Sequence, residues 1–165
     1  LHALTKLTST PTLIACGEGR QKDELKKLAK HLKLESQVKF KGFLSPQELS
    51  QLYSESSCLI VPSRVPETFC LTGLEGLAHK VPVVATSLGG MAEWQKNDAV
   101  LTFKENDPDS LKQCLEKVLA DQNLSESMID KGYQLYQKNF TPKQHTTALI
   151  KLFTSLSKVR SNIID

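Results

Sequence analysis

Two glutamates, Glu67 and Glu75, stand eight residues apart in the run Val61-Pro62-Ser63-Arg64-Val65-Pro66-Glu67-Thr68-Phe69-Cys70-Leu71-Thr72-Gly73-Leu74-Glu75-Gly76-Leu77-Ala78. A short apolar segment leads into this run, so it reads as a buried strand, a loop, and then a helix beginning near Phe69 to Leu71. The free amides of such a helix start favour an anion by about 0.3 to 2 kcal/mol, and a diphosphate suits them. Glu67 falls on the loop and Glu75 on the helix, which lets one carboxylate reach a sugar and the other a ribose. A carboxylate accepts several charge-assisted hydrogen bonds, the kind that vicinal hydroxyls supply. Spacing alone also allows plainer roles. Thr72-Gly73-Leu74-Glu75 fits a capping box, in which Glu75 only closes a helix start, and Glu67 fits a solvated loop residue. Gly73 and Gly76 each cost about 1 kcal/mol against alanine inside a helix, so a sheet or a ligand must press against this one.

Two further loops carry glycines at the same kind of junction. Cys16-Gly17-Glu18-Gly19-Arg20 lets the backbone approach a ligand and offers amides at the next helix start, although a tight turn explains it equally well. It lacks the third glycine of the dinucleotide fingerprint. Thr86-Ser87-Leu88-Gly89-Gly90-Met91-Ala92-Glu93 repeats the pattern of strand, glycine turn and helix start, and Glu93 suits a first helical turn with or without a functional role. No metal site is expected. The four cysteines (Cys16, Cys58, Cys70, Cys114) form no C-x-x-C pair, and His2, His31, His79 and His145 show no ligand spacing.

Short apolar runs alternate with longer amphipathic ones, which predicts an α/β fold: a Rossmann-like parallel sheet covered by helices on both faces. Strands are expected at residues 12–16, 38–41, 58–61, 83–85 and 100–103. Helices are expected at 21–32, 46–55, 71–79, 91–95, 109–120, 125–138 and 142–156, with a polar end from Ser157 to Asp165 that frays. Ser45-Pro46 and Thr141-Pro142 each put a capping residue before proline at a first helical position, and Asp107-Pro108 acts similarly. In such sheets ligands bind beyond the carboxyl ends of the strands, where all three loops lie.

The chain of 165 residues fits one domain and is short for two lobes with a cleft between them. A net charge of +3, with lysines spread along amphipathic segments, does not imply nucleic acid. No apolar run approaches the roughly 20 residues that span a bilayer. Separated cysteines point to reduced thiols and a cytoplasmic setting. The opening at Leu1, without an initiator Met or a leader pattern, reads as a cut end.

Together the loops resemble the C-terminal, nucleotide-sugar-binding domain of family-4 retaining glycosyltransferases, two-domain enzymes of the GT-B fold. Their pattern runs G-x-G, G-(F/Y)-(V/L), P-S-x-x-x-E-x-F-G-L-x-x-L-E-A-x-A-x-G-x-P-V-V-A and G-G-x-x-E. Order and spacing match from about Ala3 to Leu156, and Val61 to Glu93 is the most specific part. The resemblance implies transfer of a sugar from a UDP-, GDP- or ADP-sugar to an acceptor hydroxyl with retention, without a metal. It makes Glu67 and Glu75 the paired glutamates of the E-x7-E motif, the first beside the donor sugar and catalytic, the second on the ribose hydroxyls. The amides of Phe69, Cys70 and Leu71 would hold sugar and diphosphate, Gly17 and Gly19 would line the phosphate side, and the backbone at Phe43 and Leu44 would meet the base. Gly89, Gly90 and Glu93 would support. The partners implied are the nucleotide-sugar donor and a glycan or lipid-linked acceptor; a lipid acceptor would place the full-length protein peripherally at the inner membrane face.

The chain departs from that pattern in four places. Cys70 and Lys80 replace glycines, Gly76 replaces alanine, and Asn97 to Val100 lacks a glycine. A left-handed non-glycine residue at position 80 would cost about 1 to 2 kcal/mol. The resemblance further implies an absent first, central strand, absent Arg and Lys phosphate ligands on the loop after it, and an absent N-terminal acceptor domain, so the chain alone is expected to be inactive. Two other readings stand beside this one: a non-catalytic nucleotide-sugar-binding or regulatory module of the same fold, and a sugar-nucleotide epimerase.

Overall fold

The structure, a computed structural model, describes the backbone of residues 1–164 and the side chains of residues 1–157. After a single 3-10 turn at Leu4–Lys6 the elements follow as β1 (Leu13–Cys16), α1 (Lys22–His31), β2 (Val38–Gly42), α2 (Pro46–Glu55), β3 (Leu59–Val61) and α3 (Leu71–Ala78). Then come β4 (Val83–Ala85), a second 3-10 turn (Gly90–Glu93), β5 (Val100–Thr102), α4 (Pro108–Ala120), α5 (Gln122–Asn139) and α6 (Pro142–Ile164). Every expected strand is present. The helix expected at 91–95 is the 3-10 turn, and α5 starts earlier than expected because the Asp121 carboxylate caps it, accepting from the Leu124 amide at 3.0 Å. The closing helix continues to Ile164 where fraying from Ser157 was expected; Asp165 lies outside the described residues.

All strand pairs are parallel, as the alternating pattern requires, but the strands form two sheets: β1 with β2, and β3-β4-β5. Among the described residues no ladder joins β1 to β3, and each of these strands keeps one unpaired edge.

Central β4 reads Val-Val-Ala because both its faces are covered, and all three residues are fully buried. Val83 and Ala85 face a core with Leu74, Leu77, Met91, Trp94 and Leu135. Val84 faces the opposite core with Phe103, Val118 and Met128. A third cluster, Leu4, Ala29, Leu34 and Val38, seats α1 on the smaller sheet.

These cores explain the helix glycines. A Cβ at Gly76 would stand 2.6 Å from Leu59 and 2.9 Å from Val83, so the sheet presses on α3 there. A Cβ at Gly73 would stand 2.2 Å from the ring of Trp94. The α2 start closes as expected, with a capping box in which Ser45 and Glu48 satisfy each other's amides.

Candidate functional site

α3 begins at Leu71, within the expected window, and its preceding residue is Cys70 in a left-handed conformation, φ 63°. The capping box at Thr72 therefore does not form, and Glu75 is the fifth residue of the helix rather than its lock. No side chain makes a full capping hydrogen bond at this start, although the buried Cys70 sulfur lies near the Thr72 and Gly73 amides. Burial pushes the Cys70 thiol up; the Gly73 amide opposes the rise and the Glu67 carboxylate adds to it. Leu71 is 65% exposed, so the helix opens to solvent at its first residue.

Glu67 is half-buried, and its Oε1 accepts the Ser63 hydroxyl. Its loop is fixed from both sides. Thr86, on the chain leaving β4, donates its hydroxyl to the Ser63 carbonyl at 2.9 Å, and the Gly90 amide donates to the Glu67 carbonyl at 2.7 Å. Glu67 and Gly89 form a parallel bridge. Cβ atoms on Gly89 and Gly90 would stand 2.5 Å from the Glu67 carbonyl oxygen and 1.8 Å from that of Thr68. This glycine pair, expected to offer amides to a crevice, instead permits contact with the Glu67 loop, and the Gly90 amide is taken up in holding it. Glu93 is exposed and pairs with Lys96 at 3.1 Å.

The amide row is anchored from beneath. Trp94, fully buried, donates its indole N–H to the Phe69 carbonyl at 2.5 Å, and the Phe69 ring meets Phe140 edge-on at 5.6 Å. Glu75 is exposed, and its Oε2 accepts the hydroxyl of buried Tyr53 at 3.2 Å. Burial, then the charge and hydrogen bond of Glu75, push the Tyr53 phenol well above its ordinary range, and Cys16 and Cys70 add to the rise.

At the first loop Gly17 has φ 105° and its amide donates to the Gly42 carbonyl at 2.6 Å. Gly17 supplies the turn and ties the loops after β1 and β2 together. Gly19 is exposed with open space around it, and Glu18 and Lys22 form an ion pair at 2.5 Å beside Gly42. Phe43 is 81% exposed and Leu44 half-buried, on the short loop before α2. Glu67 lies beside the Cys70 thiol, whereas Glu75 accepts the Tyr53 hydroxyl. Two grooves elsewhere, along Lys26, Lys30 and Phe40 and along α2 beside His79, contain neither glutamate.

Residues 1–135 match the family model of glycosyl transferases group 1. The chain belongs to that family. It is 31% identical over 129 residues to an uncharacterised glycosyltransferase of Methanocaldococcus jannaschii, covering 76% of this chain and 33% of that protein. It is 28% identical over 137 residues to the alpha-monoglucosyldiacylglycerol synthase of Streptococcus pneumoniae, covering 81% of this chain and 30% of that one. The chain therefore spans about a third of the length of these relatives. Among solved structures, a Rickettsia africae glycosyltransferase superposes with a TM-score of 0.88 at 24% identity, over 95% of this chain and 43% of that one. Anabaena HepE, in complex with UDP and glucose, superposes with a TM-score of 0.85 at 21% identity, over 93% and 43%. Both likenesses show the Rossmann-like α/β fold of a GT-B lobe.

Within this glycosyl transferases group 1 chain, three residues that sequence reasoning passed over shape the site. Tyr53 holds Glu75, Ser63 holds Glu67, and Trp94 carries the Phe69 carbonyl. The single tryptophan, placed just past a Gly-Gly turn, was the one available hint. Among the described residues no group of three His, Cys, Asp or Glu side chains could hold a metal ion, and no helix is long and apolar enough to cross a membrane.

Proposed function

We propose that this chain is the donor-binding lobe of a family-4 retaining glycosyltransferase, which transfers a sugar from a nucleoside diphosphate sugar to an acceptor hydroxyl. The observation that carries the reading is the pair of carboxylates that flank one helix start. Glu67 is fixed on the loop by Ser63 and the glycine pair, and Glu75 is released from a capping role four residues into α3. In this reading Glu67 stands beside the donor sugar and Glu75 accepts from the ribose hydroxyls. The amides of Phe69, Cys70 and Leu71 meet the sugar and diphosphate, Gly17 and Gly19 shape the phosphate side, and exposed Phe43 with Leu44 meets the base.

The chemical task is to stabilise a departing diphosphate. Amides fixed in advance do this at no reorganisation cost, and removing one such donor costs about 2.7 to 4 kcal/mol in other enzymes. The acceptor, a glycan or a lipid-linked glycan, would be presented by residues outside this lobe, so the lobe alone binds donor and transfers nothing. HepE was solved in complex with UDP and glucose, which supports a UDP-sugar as the first donor to test.

Glu75→Ala in the full-length protein should weaken nucleoside diphosphate binding about 10- to 100-fold, the worth of losing charge-assisted hydrogen bonds. Glu67→Ala should lower transfer much more than nucleotide affinity. Calorimetry and donor-dependent transfer assays that find both variants unchanged would defeat the assignment. One observation favours the non-catalytic module instead: Cys70, a non-glycine residue, holds a left-handed conformation at the α3 start with its sulfur near the Thr72 and Gly73 amides. Donor binding without any transfer by the full-length protein selects that alternative.

A further inference from the structure

We propose that Tyr53, clamped by His79, is a positioning residue that fixes the rotamer of Glu75 so that its free oxygen sites face the two adjacent hydroxyls of a ribose. This rests on the reading of Glu75 as the ribose carboxylate. An exposed glutamate on a helix samples several side-chain rotamers, and ordering it costs entropy at the moment of binding. Here the exposed carboxylate receives a hydrogen bond from a phenol that is itself buried, 5% exposed, on the neighbouring helix α2. The phenol has little freedom of its own. Its ring lies 4.8 Å from the His79 ring at an interplanar angle of 33°, and His79 Nδ1 lies 2.9 Å from the Glu75 carbonyl oxygen one turn back. Tyr53, Glu75 and His79 therefore form a closed triangle across α2 and α3.

The stoichiometry fits the ligand. A carboxylate offers about four acceptor sites, and Tyr53 occupies one of them on Oε2. Enough sites remain for two hydroxyl donors, and a vicinal diol presents its two donors together. Glu75 is the fifth residue of α3, so the held carboxylate lies one turn from the helix start where the diphosphate is read to lie. The buried phenol also gains: desolvated, it keeps its one donor satisfied.

The test is calorimetric titration of the full-length protein with UDP, GDP and ADP, and with the 2′-deoxy and 3′-deoxy form of whichever binds. Wild type should prefer the ribonucleotide. Tyr53→Phe should lose about tenfold in ribonucleotide affinity and little in deoxynucleotide affinity, so that the preference collapses. His79→Ala, an exposed change that leaves the hydroxyl in place, should reduce the preference part-way and serves should Tyr53→Phe fail to fold. Wild type that binds ribo- and deoxynucleotides alike removes the ribose reading of Glu75 itself. Wild type that discriminates while Tyr53→Phe and His79→Ala discriminate equally well overturns the positioning role alone. An equal loss of affinity for both nucleotide forms in the folded variants also overturns it, because that is the mark of a merely structural side chain.

Discussion

Adding one methyl group at Gly73 drives a wedge between α3 and the tryptophan beneath it. The new Cβ would stand 2.2 Å from Trp94 Cη2 and 2.5 Å from Cζ2, whereas carbon atoms rest about 3.5 to 4.0 Å apart, so ring or helix must yield by about 1.5 Å. Trp94 is fully buried and tethered to the Phe69 carbonyl, which leaves the ring no free path outward. Overpacking of this kind costs about 1 to 3 kcal/mol, and a lost indole hydrogen bond about 1 more. The better helix propensity of alanine returns about 1 kcal/mol, so Gly73→Ala should destabilise the fold by about 2 kcal/mol. With a urea slope of about 2 kcal/mol per molar, the midpoint should fall by about 1 M. Because Trp94 is the chain's one tryptophan, its emission reports the same event and should shift to the red as the indole leaves its dry seat. Nucleotide affinity should fall too, since the Phe69 to Leu71 amides ride on that anchor. An unchanged urea midpoint with unchanged emission would refute the view that Trp94 is why position 73 is glycine.

Two further outcomes test other parts of the structure. Ser45 holds the Glu48 carboxyl below its ordinary range, first through its hydroxyl and then through its amide. A depressed carboxyl contributes stability above its unfolded pKa and loses that contribution as the pH falls through the folded value. Glu48→Gln should therefore flatten the acid side of a melting-temperature profile below about pH 4.3, the ordinary glutamate value, and an unchanged profile would deny the capping box. Cys16 is the exposed thiol at the end of β1, whereas Cys70 is buried, so alkylation should mark Cys16 first. Saturating nucleoside diphosphate should slow that labelling, and mass spectrometry showing equal rates with and without nucleotide would move the donor away from the first loop.

The strands were legible because Val, Ile and Leu runs of strand length have few other uses, and Val83–Ala85 is the clearest case; their division into two sheets was not. Ser45-Pro46 was legible because a cap before proline admits few alternatives. The start of α5 was missed because Asp121 follows directly on α4 and no proline or glycine marks the break. In the site, the α3 start was placed correctly, but whether Thr72 or Cys70 began it could not be settled from letters, since the capping-box pattern at Thr72 is formally complete. Backbone commitments were invisible as well: nothing in G-E-G or L-G-G tells that the Gly17 amide is bonded to Gly42 or that of Gly90 to Glu67. Tyr53 reaches Glu75 across 22 positions, a tertiary contact between α2 and α3 that no local pattern shows.

The bare backbone of Gly89 and Gly90 against Glu67 and Thr68 leaves no side chain between the proposed sugar-facing carboxylate and the neighbouring connection. The height of that carboxylate above the strands is thus set by main-chain thickness, a dimension that point mutation cannot adjust in small steps. Side chains that can be lengthened, shortened or recharged one at a time stand instead on the Glu67 loop itself, at exposed Arg64 and Val65.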